Sequence, residues 1–143
     1  MVGADSEMFQ AGKPILSAMA EYPFHMGPLG SGHAMKTLNN YMVASSICAL
    51  NDSLATGQKQ SIDAQKMIVV LNVGTDACYP TPNTFRRGVL PRTFNSGFGL
   101  ALLVRDLDIA QDFVQHSQVK KEPPGLLRGY LGDALEQYDQ CAD

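Results

Sequence analysis

The stretch Gly27-Pro28-Leu29-Gly30-Ser31-Gly32-His33-Ala34-Met35-Lys36-Thr37-Leu38-Asn39-Asn40 decides how the rest of the chain is read. Three glycines and a proline make a turn, and a serine hydroxyl then stands where a helix can be capped. Beyond it a helical pattern runs without a break to Gly57, which predicts one helix roughly 40 Å long at 1.5 Å rise per residue. Lys36 and Asn40 lie four residues apart, on one face of that helix and one turn from each other. Their side chains can therefore enter the same cleft.

Along the helix, Lys36, Asn40, Val43, Ile47, Leu50 and Leu54 define one face, while Ala34, Leu38, Tyr41, Met42, Ala44, Cys48 and Ala49 cover the neighbouring ones. Apolar residues on nearly every side mean a helix buried all round, either in a bundle or between subunits. A second copy of the chain packing against it is the inference, giving a dimer or tetramer. Lys36 in such company either reaches water with its head group or sits in a cleft where its charged form is disfavoured. The second case suits general acid–base work.

Working outward toward the N-terminus, Val2-Gly3-Ala4 reads as the end of a strand and Asp5 or Ser6 as the cap of a short helix. Pro14 fits the first turn of a second helix, where its missing N–H costs nothing. Tyr22 to Met26 reads as a brief extended segment. Strands this short do not form a sheet of their own. Toward the C-terminus, Asp63 caps a helix carrying Ala64, Met67, Ile68 and Leu71 at helical spacing. Residues 74–97 are rich in Pro, Gly and Thr, with one short helix expected near Thr84 to Gly88. Leu100, Leu103, Leu107, Ala110 and Val114 then form the stripe of a helix from Phe98 to about His116. A last helix starts at Pro123-Pro124, with Leu127, Tyr130, Leu131, Ala134 and Tyr138 on its apolar side. The fold class expected is an all-α bundle around the long helix, about 31–57, with a short β/α piece in front.

At 143 residues, 45% hydrophobic and 17% charged, the chain can bury one sizeable core. A net charge of −3 provides no basic footprint for nucleic acid or an acidic membrane. No apolar run has the length of a membrane span, and Met1 to Asp5 lacks the basic and apolar pattern of a signal peptide. The localisation expected is cytoplasmic, or the mitochondrial matrix if a targeting segment precedes the chain. Cys48, Cys78 and Cys141 have no metal-type spacing and read as reduced thiols without an assigned role. His25, His33 and His116 lack partners at ligand spacing, so no metal site is expected. Arg86, Arg87 and Arg92 form a small basic cluster that is most simply a solvated face.

Two phosphate-binding motifs are excluded. Gly27-x-x-Gly30-x-Gly32 reverses the glycine order of the dinucleotide fingerprint, and Met35 occupies the place before Lys36 where a P-loop needs glycine.

Four stretches together resemble the β-hydroxyacid dehydrogenases, which include 3-hydroxyisobutyrate dehydrogenase and tartronate semialdehyde reductase. Met1-Val2-Gly3-Ala4-Asp5 is similar to the family's strand end, with Ala4 in place of a usual glycine. Gly27-x-x-Gly30-Ser31-Gly32-x-x-x-Lys36-x-x-Asn39-Asn40 is similar to its catalytic-lysine motif. Asp52, nine residues before Ser61-Ile62-Asp63, falls where the family has an acidic residue ahead of a Gly-Leu-Asp turn. Phe98-Gly99-Leu100-x-x-Leu103-x-Arg105-Asp106-Leu107 is similar to its C-terminal element, with Arg105 where the family has lysine.

The resemblance implies an NAD- or NADP-dependent oxidoreductase that interconverts a small β-hydroxy acid and its semialdehyde or ketone. Residues 1–29 would be the end of a Rossmann domain, and 30–143 an all-α catalytic and oligomerisation domain. Lys36 would be the general acid–base, with Asn40 and Gly32 binding substrate and Arg105 touching the cofactor. The cofactor would be held mainly by a domain that these residues do not contain, so the chain alone is expected to be inactive. A different reading of the same residues is a non-enzymatic helical dimerisation module.

Overall fold

A computed structural model describes residues 1–74, 78–95, 97–117 and 123–138. They fall into two units, Met1–Asn40 and Tyr41–Asp143.

The first unit begins with a short strand, β1 (Val2–Gly3), followed by α1 (Ser6–Met19) and a second strand, β2 (His25–Gly27). The strands pair in parallel, Val2 opposite His25 and Gly3 opposite Gly27, so α1 is the crossover that a parallel pair requires. Val2 N–H donates to Phe24 O at 2.8 Å and Ala4 N–H to Gly27 O at 2.9 Å. Phe9 is the buried side chain of α1 and stacks on the His25 ring, 4.6 Å between centroids. The His25 Nε2 meets Ala4 O at 2.7 Å, a second tie between the strands.

Two expectations change here. The strands pair with each other, and the two helices expected from Ser6 to Met19 are one. Asp5 caps it, accepting from Met8 N–H at 2.8 Å, but Pro14 lies inside rather than at a new start. The carbonyl that loses its donor to Pro14 is that of Gln10, an exposed residue, where water can replace the bond.

The long helix, α2 (Ser31–Lys59), spans the length expected of it. Its residues through Asn40 belong to the first unit. From Tyr41 onward one side carries Ala44 and Cys48, another Leu50 and Leu54, all buried. Ser45, Ser46 and Ser53 turn their hydroxyls onto the carbonyls of Tyr41, Met42 and Ala49, which satisfies them inside an apolar helix. Met35, Leu38 and Met42 remain exposed. The helix stops at Ser61, whose φ of 62° turns the chain so that Ile62 N–H reaches Gly57 O at 2.9 Å.

In the second unit, α3 (Ala64–Val73) is capped by Asp63, which accepts from Lys66 N–H at 2.9 Å. A π-helix follows over Thr81–Val89, where a single α-helical turn was expected. Its wider repeat is seen directly in Phe85 N–H to Pro80 O and Leu90 N–H to Phe85 O, both 2.9 Å. Then come α4 (Leu100–His116) and α5 (Pro123–Gln137). The first core cluster joins Ala44 and Cys48 of α2 to Leu103, Val104 and Leu107 of α4 and Leu131 of α5. The second joins Leu50 and Leu54 to Ile68 of α3 and Phe85 of the π-helix. The stripes read for α3 and α4 are those that face the core. On α5 the core side instead uses Leu127, Leu131 and Leu135, and Tyr130 and Tyr138 are exposed.

Candidate functional site

The opening of α2 is built by close backbone approach. Gly27 and Gly30 have φ of 117° and 91°, a region that glycine adopts without steric cost. Gly32 is pressed against β1, where a Cβ would meet Gly3 N at 2.9 Å and Met1 O at 3.0 Å. Glycine at 32 is therefore required by packing, whatever else its backbone contacts. Ser31 N–H donates to Pro28 O at 3.0 Å, and the Ser31 Oγ is buried without a hydrogen-bond partner among the described residues. The capping serine expected at this turn is thus the first helical residue, and its hydroxyl is not used as a cap.

One turn further on, the spacing argument becomes geometry. Lys36 Nζ donates to Asn40 Oδ1 at 3.0 Å. Lys36 is exposed, so its head group reaches solvent, while Asn40 is 7% exposed. The buried amide gives the flexible lysine a fixed partner. Asn39 adds Nδ2 at 3.4 Å from the same Asn40 Oδ1. A lysine held by an oxygen acceptor on a helix surface can deliver a proton to a bound carbonyl or take one from a hydroxyl.

Arg105 lies on α4 in the second unit, exposed, as do Arg86 and Arg87 on the π-helix. His116 Nδ1 bonds Asp112 O at 2.7 Å, a helix-end contact, and His33 is exposed. Among the described residues, no group of three or more His, Cys, Asp or Glu side chains is placed to hold a metal ion. No helix among them is long and apolar enough to cross a membrane. Cys141 lies outside the described residues.

Sequence reasoning did not find the link between Asp52 on α2 and Tyr130 on α5. Partial burial, then the Asp52 charge and after it Cys48, push the Tyr130 phenol up. Burial, followed by the same carboxylate, pushes the Cys48 thiol up as well. The two residues are 78 positions apart, so no local pattern could have paired them.

What the structure shows is a helical chain entered through a glycine turn and a lysine–asparagine pair near the start of its long helix. Residues 30–143 match the family described as NAD-binding of NADP-dependent 3-hydroxyisobutyrate dehydrogenase, and the chain belongs to this β-hydroxyacid dehydrogenase family. It is 30% identical over 118 residues to the probable mitochondrial 3-hydroxyisobutyrate dehydrogenase of Dictyostelium discoideum, covering 78% of this chain and 37% of that protein. It is 28% identical to the NAD-dependent L-serine dehydrogenase of Pseudomonas aeruginosa, covering 89% of this chain and 44% of the relative. The fold is similar to that of Mycobacterium tuberculosis 3-hydroxyisobutyrate dehydrogenase, solved with L-serine. The TM-score is 0.85 at 25% identity, covering 99% of this chain and 50% of the other. The chain thus spans about two fifths of the length of these two curated relatives.

Proposed function

We propose that these residues form the proton-transfer half of an NAD(P)-dependent β-hydroxyacid dehydrogenase acting on a small hydroxy acid or its semialdehyde. The observation that carries this is the 3.0 Å bond from Lys36 Nζ to the buried Asn40 Oδ1, in a chain of this family. The bound cofactor supplies the hydride acceptor or donor. Lys36 protonates the substrate oxygen in reduction and takes its proton in oxidation. Asn40 orients the lysine and binds the substrate, and the backbone at Gly32 lines the substrate's side of the turn.

The donors present fit one part of the cofactor's needs. Arg105 offers an exposed, permanently charged guanidinium suited to an anionic or amide-bearing group. No Gly-x-Gly-x-x-Gly segment follows a strand in this chain. The pyrophosphate cradle would come from a dinucleotide-binding domain in the whole enzyme. The exposed Met8, Ile15, Met19, Tyr22 and Phe24 around β1, α1 and β2 support this, since such a surface fits a larger sheet and its helices. Catalysis requires hydride and proton donors held near contact distance, so the chain alone is inactive on this reading. The test is activity with 3-hydroxyisobutyrate and L-serine, for this chain alone and joined to a dinucleotide-binding domain from a relative. Turnover by the joined enzyme that survives Lys36→Ala would overturn the assignment.

A second reading, association through α2, is favoured by the exposed Met35, Leu38 and Met42. Both roles are compatible in one protein. A cytoplasmic or matrix location goes with the enzymatic reading, the Dictyostelium relative being described as mitochondrial.

A further inference from the structure

We propose that a cleft in the second unit, between the end of α3 and the start of the π-helix, binds a small organic oxyanion. Its charged group lies on the Arg86 guanidinium and its apolar body on Tyr79 and Pro82. This binding is independent of the role given to Lys36.

In the sequence, Arg86 and Arg87 are two adjacent charges of one solvated cluster. The fold separates them. Bonds in this helix run from residue i to i+5, as from Phe85 N–H to Pro80 O at 2.9 Å, so side chains four or five apart share a face. Pro82 and Arg86 are four apart, and together with Asn72, Cys78 and Tyr79 they line the cleft; Arg87 does not. The cleft opens to solvent and holds about 420 Å³, within the roughly 300–1,000 Å³ of small-molecule sites.

Its walls are held before any ligand arrives. Phe85, next to Arg86, is 1% exposed and packs with Leu50, Leu54 and Ile68, which anchors the helix. Thr81, also buried, donates from Oγ1 to Cys78 O at 2.7 Å, and Asn83 Nδ2 donates to Tyr79 O at 3.1 Å. Those two bonds tie the opposite wall to the helix that carries the arginine. A preformed wall leaves less ordering for a ligand to cause, which favours binding.

The chemistry of the lining selects the ligand. Among the described residues, neither the Arg86 guanidinium nor the Asn72 amide has a hydrogen bond or ion pair, and no carboxylate lines the cleft. A planar guanidinium takes two oxygens of a carboxylate or phosphate side by side. The Tyr79 ring and Pro82 add apolar surface that a bare ion leaves unused. The ligand class is therefore a carboxylate or phosphate monoester on a small apolar body.

Cys78 lines the cleft, so a filled cleft shields its thiol from the neutral reagent iodoacetamide. Mass spectrometry on the full chain, at fixed ionic strength, follows alkylation at Cys78. About 10 mM benzoate or phenyl phosphate is expected to slow it about threefold or more, the factor that a Kd of about 5 mM or below gives. The better of these two probes tells a carboxylate ligand from a phosphate one. Benzyl alcohol carries a ring without the charge, and inorganic phosphate the charge without a ring; both are expected to protect less than the better probe. Arg86→Gln should abolish the protection and Arg87→Gln should leave it, and both residues are exposed, so the core is untouched. An unchanged rate with both probes, protection that survives Arg86→Gln, or an equal loss in Arg87→Gln would overturn the proposal. Equal protection by inorganic phosphate or benzyl alcohol would do the same.

Discussion

The backbones of Gly3 and Gly32 meet so closely that a Cβ on either would lie 2.9 Å from the nitrogen of the other. A strand end and a helix start that are 29 residues apart are thereby joined without a side chain between them. The contact fixes where α2 begins relative to β1, and so where the turn carrying Lys36 lies on the first unit.

Gly32→Ala should therefore loosen β1. We expect a loss of about 1–3 kcal/mol by thermal or denaturant unfolding, the usual cost of forcing an extra carbon into a filled space. Hydrogen exchange at Val2 and Ala4, whose amides bond Phe24 O and Gly27 O, should rise in parallel. Unchanged exchange at both amides would mean that the close approach is not needed to keep β1 paired.

Lys36→Ala in the joined enzyme should lower kcat by about 10²–10⁴-fold, the range of a lost general acid–base, with KM changed little. Steady-state kinetics in both directions make the check. A rise in KM at constant kcat would instead assign Lys36 to substrate binding.

Ser61 occupies the place where the resembled family has glycine, and it adopts a φ of 62°. A left-handed conformation costs a side-chain-bearing residue about 1–2 kcal/mol, partly offset in comparison with glycine by the latter's freer unfolded chain. Ser61→Gly should therefore stabilise the chain by up to about 1 kcal/mol. Urea midpoints of the two proteins test this, and a lower midpoint for the glycine variant contradicts it.

Alkaline pH should destabilise the second unit. Burial, then Asp52, raises the Cys48 thiol, and partial burial with Asp52 raises the Tyr130 phenol. Below the ordinary thiol range, about 8.5, both groups keep their protons whether the chain is folded or not, so nothing is lost. As pH rises through about 8.5 and then about 10, the unfolded chain releases protons that the folded chain retains, and stability falls. Asp52→Asn removes one cause from both groups and should make the decline of Tm between those values shallower. An identical slope in the variant would show that Asp52 does not act on either group.

Leu38→Glu and Met42→Glu place charge on the exposed side of α2 and should abolish self-association without unfolding the chain. Sedimentation of the wild type and both variants, with circular dichroism as the folding control, decides it. A wild type that is monomeric at high concentration rules out the association reading.

Local pattern carried much of this protein. Asp63 was legible as a cap, and Asp5 as one of two candidates with Ser6, because a short oxygen-bearing side chain before a helical run can accept a free backbone N–H; Asp5 and Asp63 both do so. The start of α2 was legible from its glycines, and the Lys36–Asn40 bond from i, i+4 spacing alone. Those features depend on residues within one helical turn, where chain geometry leaves little choice.

What lay beyond one turn was decided by tertiary structure. Parallel pairing of β1 with β2, across the whole of α1, depends on packing that two-residue runs such as Val2-Gly3 cannot signal. Helix α1 continues through Pro14 because the lost bond falls on an exposed side. The π-helix arises where Thr81 and Phe85 are both buried, the latter against Leu50, Leu54 and Ile68, a constraint absent from the local run of Pro, Thr and Gly. An apolar helix such as α2 has no preferred face in its sequence. From Tyr41 onward, only the arrival of α4 and α5 on one side, and of α3 and the π-helix on another, chose which residues it buried and left Met42 in water.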